Sequence, residues 1–246
     1  MHPFKLSLLL LPCLAAHAAN PIAVYSMPYP PLHMAASRSD LPGLGDELVQ
    51  RAARLAGLAV EIHTVPWPRA QQIARREPQA CLFPLTRLPA RENQYQWLGQ
   101  LANGRLQLYG WHDAPRLADI AAAAGYRITV LAGSSAELRL QQHQLPYIST
   151  NQESDGLRLL QLGTADYWAV HDVVARYEAH RNRLRLVPAL ALGEADSWLA
   201  CHRAFPPALA RAWQQGFARL QASGEAAAIR QRYLGEGNGE GAAERP

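Results

Sequence analysis

Lysine is almost absent from this sequence of 246 residues: Lys5 is the only one, and arginine carries the remaining positive charge. Everything after residue 5 therefore lacks the amine that Schiff-base catalysis and phosphate-binding P-loops require. The formal net charge is +4, which falls to +3 without Lys5, and the charges are spread along the chain. Since no basic cluster is interleaved with aromatic side chains, we expect no binding of nucleic acid.

Cysteine is also scarce, with only Cys13, Cys81 and Cys201. No Cys-x-x-Cys or His-Glu-x-x-His motif is present, so we expect no metal site and no cofactor. The sequence also lacks the Gly-x-Ser-x-Gly motif that would indicate a serine nucleophile. No apolar run reaches the roughly 20 residues that span a bilayer. The chain is long enough for one large domain or two small ones.

The first 18 residues are typical of an export signal. Lys5 supplies the charge, residues 6–14 form the apolar stretch, and Ala16-His17-Ala18 fits a small-x-small cleavage site. The sequence therefore predicts a protein that is exported to the periplasm. Cys81 and Cys201 then lie in a compartment where disulfides form, and we expect both in the same lobe. The sequence leaves open whether they are bonded.

Hydrophobic patterning after the signal predicts two α/β lobes. The predicted elements are a strand at 22–25, a helix at 44–56, a strand at 58–65, a helix at 70–76, strands at 80–85 and 104–111, a helix at 117–124, a strand at 127–131, a helix after 135, a helix at 154–162, a strand at 166–170, a helix at 172–180, a strand at 197–202, and helices at 207–223 and 226–234. We assign 19–110 and 196–234 to lobe 1, 111–195 to lobe 2, and 235–246 to a disordered tail.

The most informative stretch is residues 82–99. An apolar strand ends at Thr86, and Pro89 suits the first turn of a short helix that carries Arg91 and Glu92. A guanidinium just beyond a buried strand is well placed to bind a carboxylate through two hydrogen bonds. The alternative is a surface ion pair between Arg91 and Glu92, and the local sequence does not decide between the two.

Other candidate ligand-binding residues also follow predicted strands, which is where ligands bind in α/β sheets. Tyr29, Trp67 and Thr86 do so in the first lobe, although either aromatic side chain could serve only in packing. Ser134 and Ser135 begin a helix in the second lobe, where N–H groups favour an anion. Ser134 could instead act only as a helix N-cap.

Thr86-x-x-x-x-Arg91-Glu92, followed by Tyr95-x-Trp97-Leu98-Gly99, resembles the ligand clamp of bacterial extracellular solute-binding proteins of family 3. The resemblance covers nearly all of the exported chain, and its further stretches are 30–31, 43–48, 133–135, 163–166, 220–224 and 229–235. It implies an α/β protein with the type II periplasmic binding fold, in which two crossovers join two lobes that close on a ligand. It also implies that Arg91 holds the carboxylate of an amino acid or a related compound.

One position departs from the family's pattern. Amino-acid-binding members have an acid five residues after the aspartate that corresponds to Asp166, and this acid holds the α-ammonium. His171 occupies that position here, and Asp172 follows. Because neutral imidazole lacks the negative charge, either Asp172 serves instead or the ligand is not a standard α-amino acid. The full predicted ligand-binding set is Tyr29, Trp67, Leu85, Thr86, Arg91, Ser134, Ser135, His171 and Asp172.

The resemblance implies a monomeric periplasmic solute-binding protein, not an enzyme, that captures a small carboxylate-bearing ligand. Its expected partner is an ABC transporter permease, or else a membrane sensor. The rival function is that of the cyclohexadienyl dehydratases, which share the fold and eliminate water from a cyclic carboxylate. That chemistry needs an acid or base in the cleft, for which His171 and Glu153 are candidates.

Overall fold

The computed structural model describes residues 20–34 and 41–235. The predicted signal peptide, and the predicted disordered tail beyond Gly235, lie outside these residues. Across the described ranges, no helix has both the length and the apolar character needed to cross a membrane.

Strands and helices alternate along most of the chain, as the sequence predicts. The elements are β1 (Ile22–Ser26), α1 (Leu44–Ala56), β2 (Val60–Thr64), α2 (Trp67–Arg76), β3 (Cys81–Thr86), a 3₁₀-helix (Pro89–Gln94), β4 (Tyr95–Ala102), β5 (Arg105–Trp111), a 3₁₀-helix (Ala121–Gly125), β6 (Ile128–Leu131), α3 (Ser135–Gln142), β7 (Ile148–Thr150), α4 (Glu153–Gln161), β8 (Tyr167–His171), α5 (Asp172–Asn182), β9 (Leu186–Glu194), β10 (Ser197–His202), α6 (Pro207–Ala222) and α7 (Glu225–Leu234).

The first lobe is built on a five-stranded sheet in the order β2-β1-β3-β10-β4. Strands β1, β2 and β3 are parallel, and β10 returns antiparallel between β3 and β4. Helix α1 ends at Gly57, whose φ of 69° is left-handed, and it buries Leu44 and Leu48 against the sheet. Trp213 of α6 is fully buried in the same core.

The second lobe has its own five-stranded sheet, in the order β7-β6-β8-β5-β9. Strands β6, β7 and β8 are parallel, whereas β5 pairs antiparallel with β8 and β9. The predicted helix at 117–124 is wrong, since only the short 3₁₀-helix at Ala121–Gly125 forms there. One cause is that Leu117 N donates to Ala189 O of β9, which holds this part of the chain away from a helical path.

Two short connections join the lobes, one between β4 and β5 and the other between β9 and β10. Residue Asp196 links them, because its carboxylate accepts hydrogen bonds from Gly104 N at 3.4 Å and from Gln100 Nε2 at 2.9 Å. Ala195 N also donates to Gly104 O at 2.8 Å. Because β5 pairs with the second sheet from residue 105 onward, the chain leaves the first sheet earlier than the predicted boundary at 110.

A disulfide joins Cys81 of β3 to Cys201 of β10. The two residues are directly opposite in the antiparallel register, their Cα atoms are 3.9 Å apart, and both are fully buried. The prediction that both cysteines lie in the first lobe is confirmed. The bond fastens the returning strand to a strand that precedes it by 120 residues.

Candidate functional site

A small cavity lies between the lobes and brings together seven of the nine predicted ligand-binding residues. It is lined by Tyr29, Trp67, Thr86, Arg91, Ser134, Ser135 and His171, together with Met27, Pro84, Leu131 and Ser197. We call it the clamp cavity. Its volume is about 20 Å³, which is room for about one water molecule. The lobes are therefore nearly in contact at this point.

Arg91 projects from the first turns of the 3₁₀-helix into the clamp cavity. Its side chain is only 9% exposed, and its guanidinium donates to two backbone oxygens, Thr86 O at 3.3 Å and Gly133 O at 3.4 Å. Burial lowers its pKa; the nearby Tyr95 phenol opposes this shift, and the positive charge of Arg75 adds to it. Arginine remains charged under such shifts. The described part of the chain places no carboxylate within ion-pair distance of Arg91.

The alternative ion pair between Arg91 and Glu92 does not form. Glu92 is bound instead by Arg87, whose Nε lies 2.9 Å from Glu92 Oε2. Arg87 also lies over the rings of Trp97 and Trp198, at 5.5 and 5.0 Å from the ring centroids. The exposed Arg87 therefore has the structural role, and Arg91 turns inward.

Thr86 and Ser135 meet across the cleft. Their hydroxyl oxygens are 3.0 Å apart, and both side chains are buried. Thr86 is the last residue of β3, and the first residue of β10, Ser197, is its neighbour in the sheet. Ser197 was not among the predicted site residues. Its position at the start of the returning strand was the only signal that could have indicated it.

Ser134 is the N-cap of α3, as the alternative interpretation held. Its Oγ accepts from Glu137 N at 3.1 Å, and Glu137 Oε2 accepts in return from Gly133 N at 2.7 Å. Its role in anion binding stays a prediction. The reciprocal pair fixes the turn that presents Gly133 O to the first lobe.

The carbonyl oxygen of Gly133, in the second lobe, accepts hydrogen bonds from two side chains of the first lobe. It accepts from Gln71 Nε2 of α2 at 3.0 Å as well as from Arg91. Gly133 has a φ of 72°, and a Cβ there would come 2.9 Å from Gln71 Nε2. Only glycine suits this position without a shift of its neighbour. Gln71 is buried, although a glutamine within a polar helix gave no sequence signal of such a role.

His171 and Asp172 are both engaged by the connections between the lobes. His171 Nε2 donates to Ala195 O at 2.6 Å, and its Nδ1 accepts from Val173 N at 3.3 Å. Asp172 accepts from Arg105 N at 3.0 Å, pairs with Arg176 at 3.1 Å, and has its Oδ1 3.2 Å from His171 Nδ1. Asp172 does not line the clamp cavity.

Leu85 and the two aromatic residues of the predicted set take part in hydrophobic packing. Leu85 does not line the clamp cavity, since it is fully buried in a hydrophobic cluster with Met27 and Trp67. Tyr29 lines the cavity and also packs against the second-lobe cluster that contains Trp168. The aromatic side chains thus serve in packing and in the cavity wall at once.

Comparisons with known proteins give similarity of structure but not of sequence. No protein-family model matches the chain, and no curated protein matches it either. A histidine kinase sensor domain with similarity to periplasmic binding proteins superposes with a TM-score of 0.80 at 23% identity, covering 88% of this chain and 96% of that one. The arginine-binding protein ArgBP from T. maritima, as its P235GK mutant, gives 0.78 at 15% identity, with coverage of 87% and 95%.

A third similar structure is the ligand-binding core of GluR0 from Nostoc punctiforme in complex with L-glutamate. Its TM-score is 0.78 at 16% identity, and the match covers 87% of this chain and 99% of that one. These matches, together with the strand order of both sheets, define the class of fold. The chain has the two-lobe fold of periplasmic binding proteins, so the predicted fold is confirmed.

Proposed function

We propose that this protein is a periplasmic solute-binding protein whose lobes close on a small ligand that carries a carboxylate. Arg91 is the observation that carries the proposal. Its buried guanidinium has no anionic partner in the part of the chain that the structure describes, so it has lost most of its hydration and gains little in return. A ligand carboxylate would restore that balance through charge-assisted hydrogen bonds.

The contacts around Arg91 explain how binding and closure are coupled. Thr86 and Ser135 approach each other across the cleft, and Gln71 reaches Gly133 O beside the guanidinium. A carboxylate on Arg91 would lie among donors from both lobes and would therefore bind best when the lobes are together. Related folds support this use of the cleft, because ArgBP is an arginine-binding protein and the GluR0 core holds L-glutamate.

The proposed partner is an ABC transporter permease in the inner membrane, to which a monomeric binding protein delivers its ligand. One similar structure is the substrate-binding protein of an amino acid ABC transporter. A membrane sensor is the second candidate, because a histidine kinase sensor domain shares this fold at 23% identity. Co-purification of the exported protein with solubilised inner-membrane proteins distinguishes a permease from a kinase.

The ligand is found by thermal shift, since a compound that binds only the folded protein raises its melting temperature. We expect a shift with one or more amino acids or small carboxylates, and none with their amides. Equal shifts in melting temperature with a carboxylate and with its amide would contradict the proposal.

We also propose that the protein binds without catalysis. The rival dehydratase function requires turnover of prephenate or arogenate at roughly one per second or faster. Incubation of these compounds with the purified protein, followed by absorbance, should give no such rate. Turnover at that rate would replace the binding proposal with the enzymatic one.

A further inference from the structure

A second and larger cavity adjoins the clamp cavity within the cleft. Its volume is about 470 Å³, and Met27 contributes to the walls of both cavities. Pro28, Val65 and Pro66 supply apolar surface from the first lobe, and Trp168 faces them from the second. We call it the distal cavity. A space of this size accommodates a chain of several carbon atoms.

Glu153 is the buried acid of the distal cavity. It is the first residue of α4, its side chain is 4% exposed, and its Oε1 accepts from Trp168 Nε1 at 3.1 Å. Its Oε2 has no hydrogen-bond partner within the ranges 20–34 and 41–235. A helix N-terminus favours an ionised acid, but burial outweighs it here and raises the pKa of Glu153 to about 8.

The charged and titratable groups around Glu153 come from helix α5 and from the first lobe. Glu178 of α5 raises its pKa further, and Arg181 of the same helix lines the cavity at its exposed end. Tyr29 of the first lobe also lies within its field, because burial and then the charge of Glu153 raise the pKa of the Tyr29 phenol. Tyr29 itself lines the clamp cavity.

We propose that the distal cavity is the second half of the ligand site, where Glu153 binds an amine or guanidinium at the far end of the ligand. The proposal rests on the proposed function, in which Arg91 holds the carboxylate. Two buried side chains of opposite charge type, neither of which has an ionic partner among residues 20–34 and 41–235, then face adjoining cavities in one cleft. A ligand with a positive and a negative end satisfies both.

The engagement of Asp172 strengthens this assignment. An α-ammonium beside the carboxylate would need an acid near His171, but Asp172 is bound to Arg105 N and Arg176. Two acids line the distal cavity among the described residues, and of these Glu153 is the buried one, whereas Glu178 is partly exposed and accepts from Asn182. The positive charge of the ligand therefore belongs in the distal cavity, which selects basic amino acids and ω-amino or ω-guanidino carboxylates over compact neutral ones.

Binding of a cation at Glu153 is linked to release of a proton. The carboxyl is mostly protonated at pH 7 in the free protein, because its pKa is about 8. A bound cation favours the ionised form, so the complex gives up nearly one proton per ligand. Affinity should then rise with pH up to about 8. A neutral ligand that accepts a hydrogen bond from the protonated acid would show no proton release, and its affinity would fall above that pH.

The test is calorimetric titration of the full exported protein at pH 7 with δ-aminovalerate, δ-hydroxyvalerate, valerate, L-lysine and L-arginine. Comparison of phosphate and Tris buffers gives the number of protons released. We expect at least one cationic compound to bind about 30-fold or more tightly than valerate, with proton release. Glu153→Gln keeps the shape and the bond to Trp168. It should abolish both the preference and the proton release while leaving valerate unaffected.

Glu178→Gln is the matched control, since this acid lines the same cavity but is only partly buried. It should change the preference several-fold at most. If none of the three cationic compounds binds more tightly than valerate to the wild-type protein, the inference is overturned without any variant, and an unchanged preference in Glu153→Gln would overturn it too. Carboxylates that bind through Arg91 without a preference for a cation leave the proposed function intact. If no carboxylate binds at all, both proposals fail.

Discussion

Gly104, in the first connection between the lobes, lies directly against the imidazole of His171, so that a Cβ at residue 104 would come 1.9 Å from His171 Cε1. The same imidazole donates to Ala195 O in the second connection. His171 therefore contacts both connections, at the position where the family's pattern has an ammonium-binding acid. Its ring thereby holds the two connections in contact with each other.

We expect Gly104→Ala to lower the free energy of unfolding by about 1–3 kcal/mol, because the new methyl group overlaps the ring of His171. Urea denaturation measures the change. Gly125→Ala is the control, since a Cβ there meets nothing within 4 Å. In the double variant with His171→Ala the two effects should not add, and simple additivity would show that the two residues do not interact.

Arg91→Ala should weaken binding of the cognate carboxylate by about 30-fold to several thousand-fold, because the ligand anion is left desolvated without its partner. The free energy of unfolding of the free protein should change little, since Arg91 has no ionic partner to lose within the described residues. Titration calorimetry and a melting curve test both parts. Arg87→Ala, which breaks the exposed pair with Glu92, is the control and should leave affinity unchanged. Normal affinity in Arg91→Ala would remove this residue from the site.

Glu153 should make stability depend on pH. Its pKa is about 8 in the folded protein and 4.5 in the unfolded chain, so between these values the folded state binds one more proton. Stability attributable to this group therefore falls as pH rises, by up to about 1.4 kcal/mol per unit, and is constant above pH 8. Glu153→Gln, compared with wild type by urea denaturation from pH 5 to 8, should gain relative stability as pH increases. A constant difference across this range would show that the carboxyl is ionised throughout.

The disulfide should contribute substantially to the stability of the first lobe. Cys81 and Cys201 are 120 residues apart, so the bond removes much of the conformational entropy of the unfolded chain. This raises the free energy of unfolding by roughly 4–5 kcal/mol. Urea denaturation with and without a reductant should show a loss of this order in the reduced protein. Coincident transitions would mean that the bond contributes nothing. Ligand affinity at low urea should be the same in both states, since neither cysteine lines the clamp cavity.

The fold could be predicted from the sequence more fully than the site. Strand β10 matches its predicted bounds because an apolar stretch stands between Asp196 and a proline-rich turn. The predicted boundary between the lobes, at residue 110, lies several residues beyond the observed crossing. The alternation along 104–111 indicates a strand but does not indicate which sheet the strand joins. Strand β4 was not predicted as a strand at all, since its aromatic residues were read as part of the clamp.

The site residues illustrate the same limit. The spacing after Asp166 located His171, but only the folded chain shows that its ring is held by Ala195 O. Glu153 reads as an ordinary acid at the start of a helix, where acids are favoured and usually solvated. It is buried beside a cavity whose other wall comes from the first lobe, and no local sequence pattern predicts that arrangement.

The bond between Cys81 and Cys201 also determines what one proteolytic cut can do. All of the second lobe lies within the loop that this bond closes, as do β4 and the residues that carry Arg91. A single cleavage anywhere in 82–200 therefore leaves two fragments that remain covalently attached. Such a nicked protein runs as one chain on a non-reducing gel and as two on a reducing gel, so it would pass unnoticed through any purification that omits a reductant.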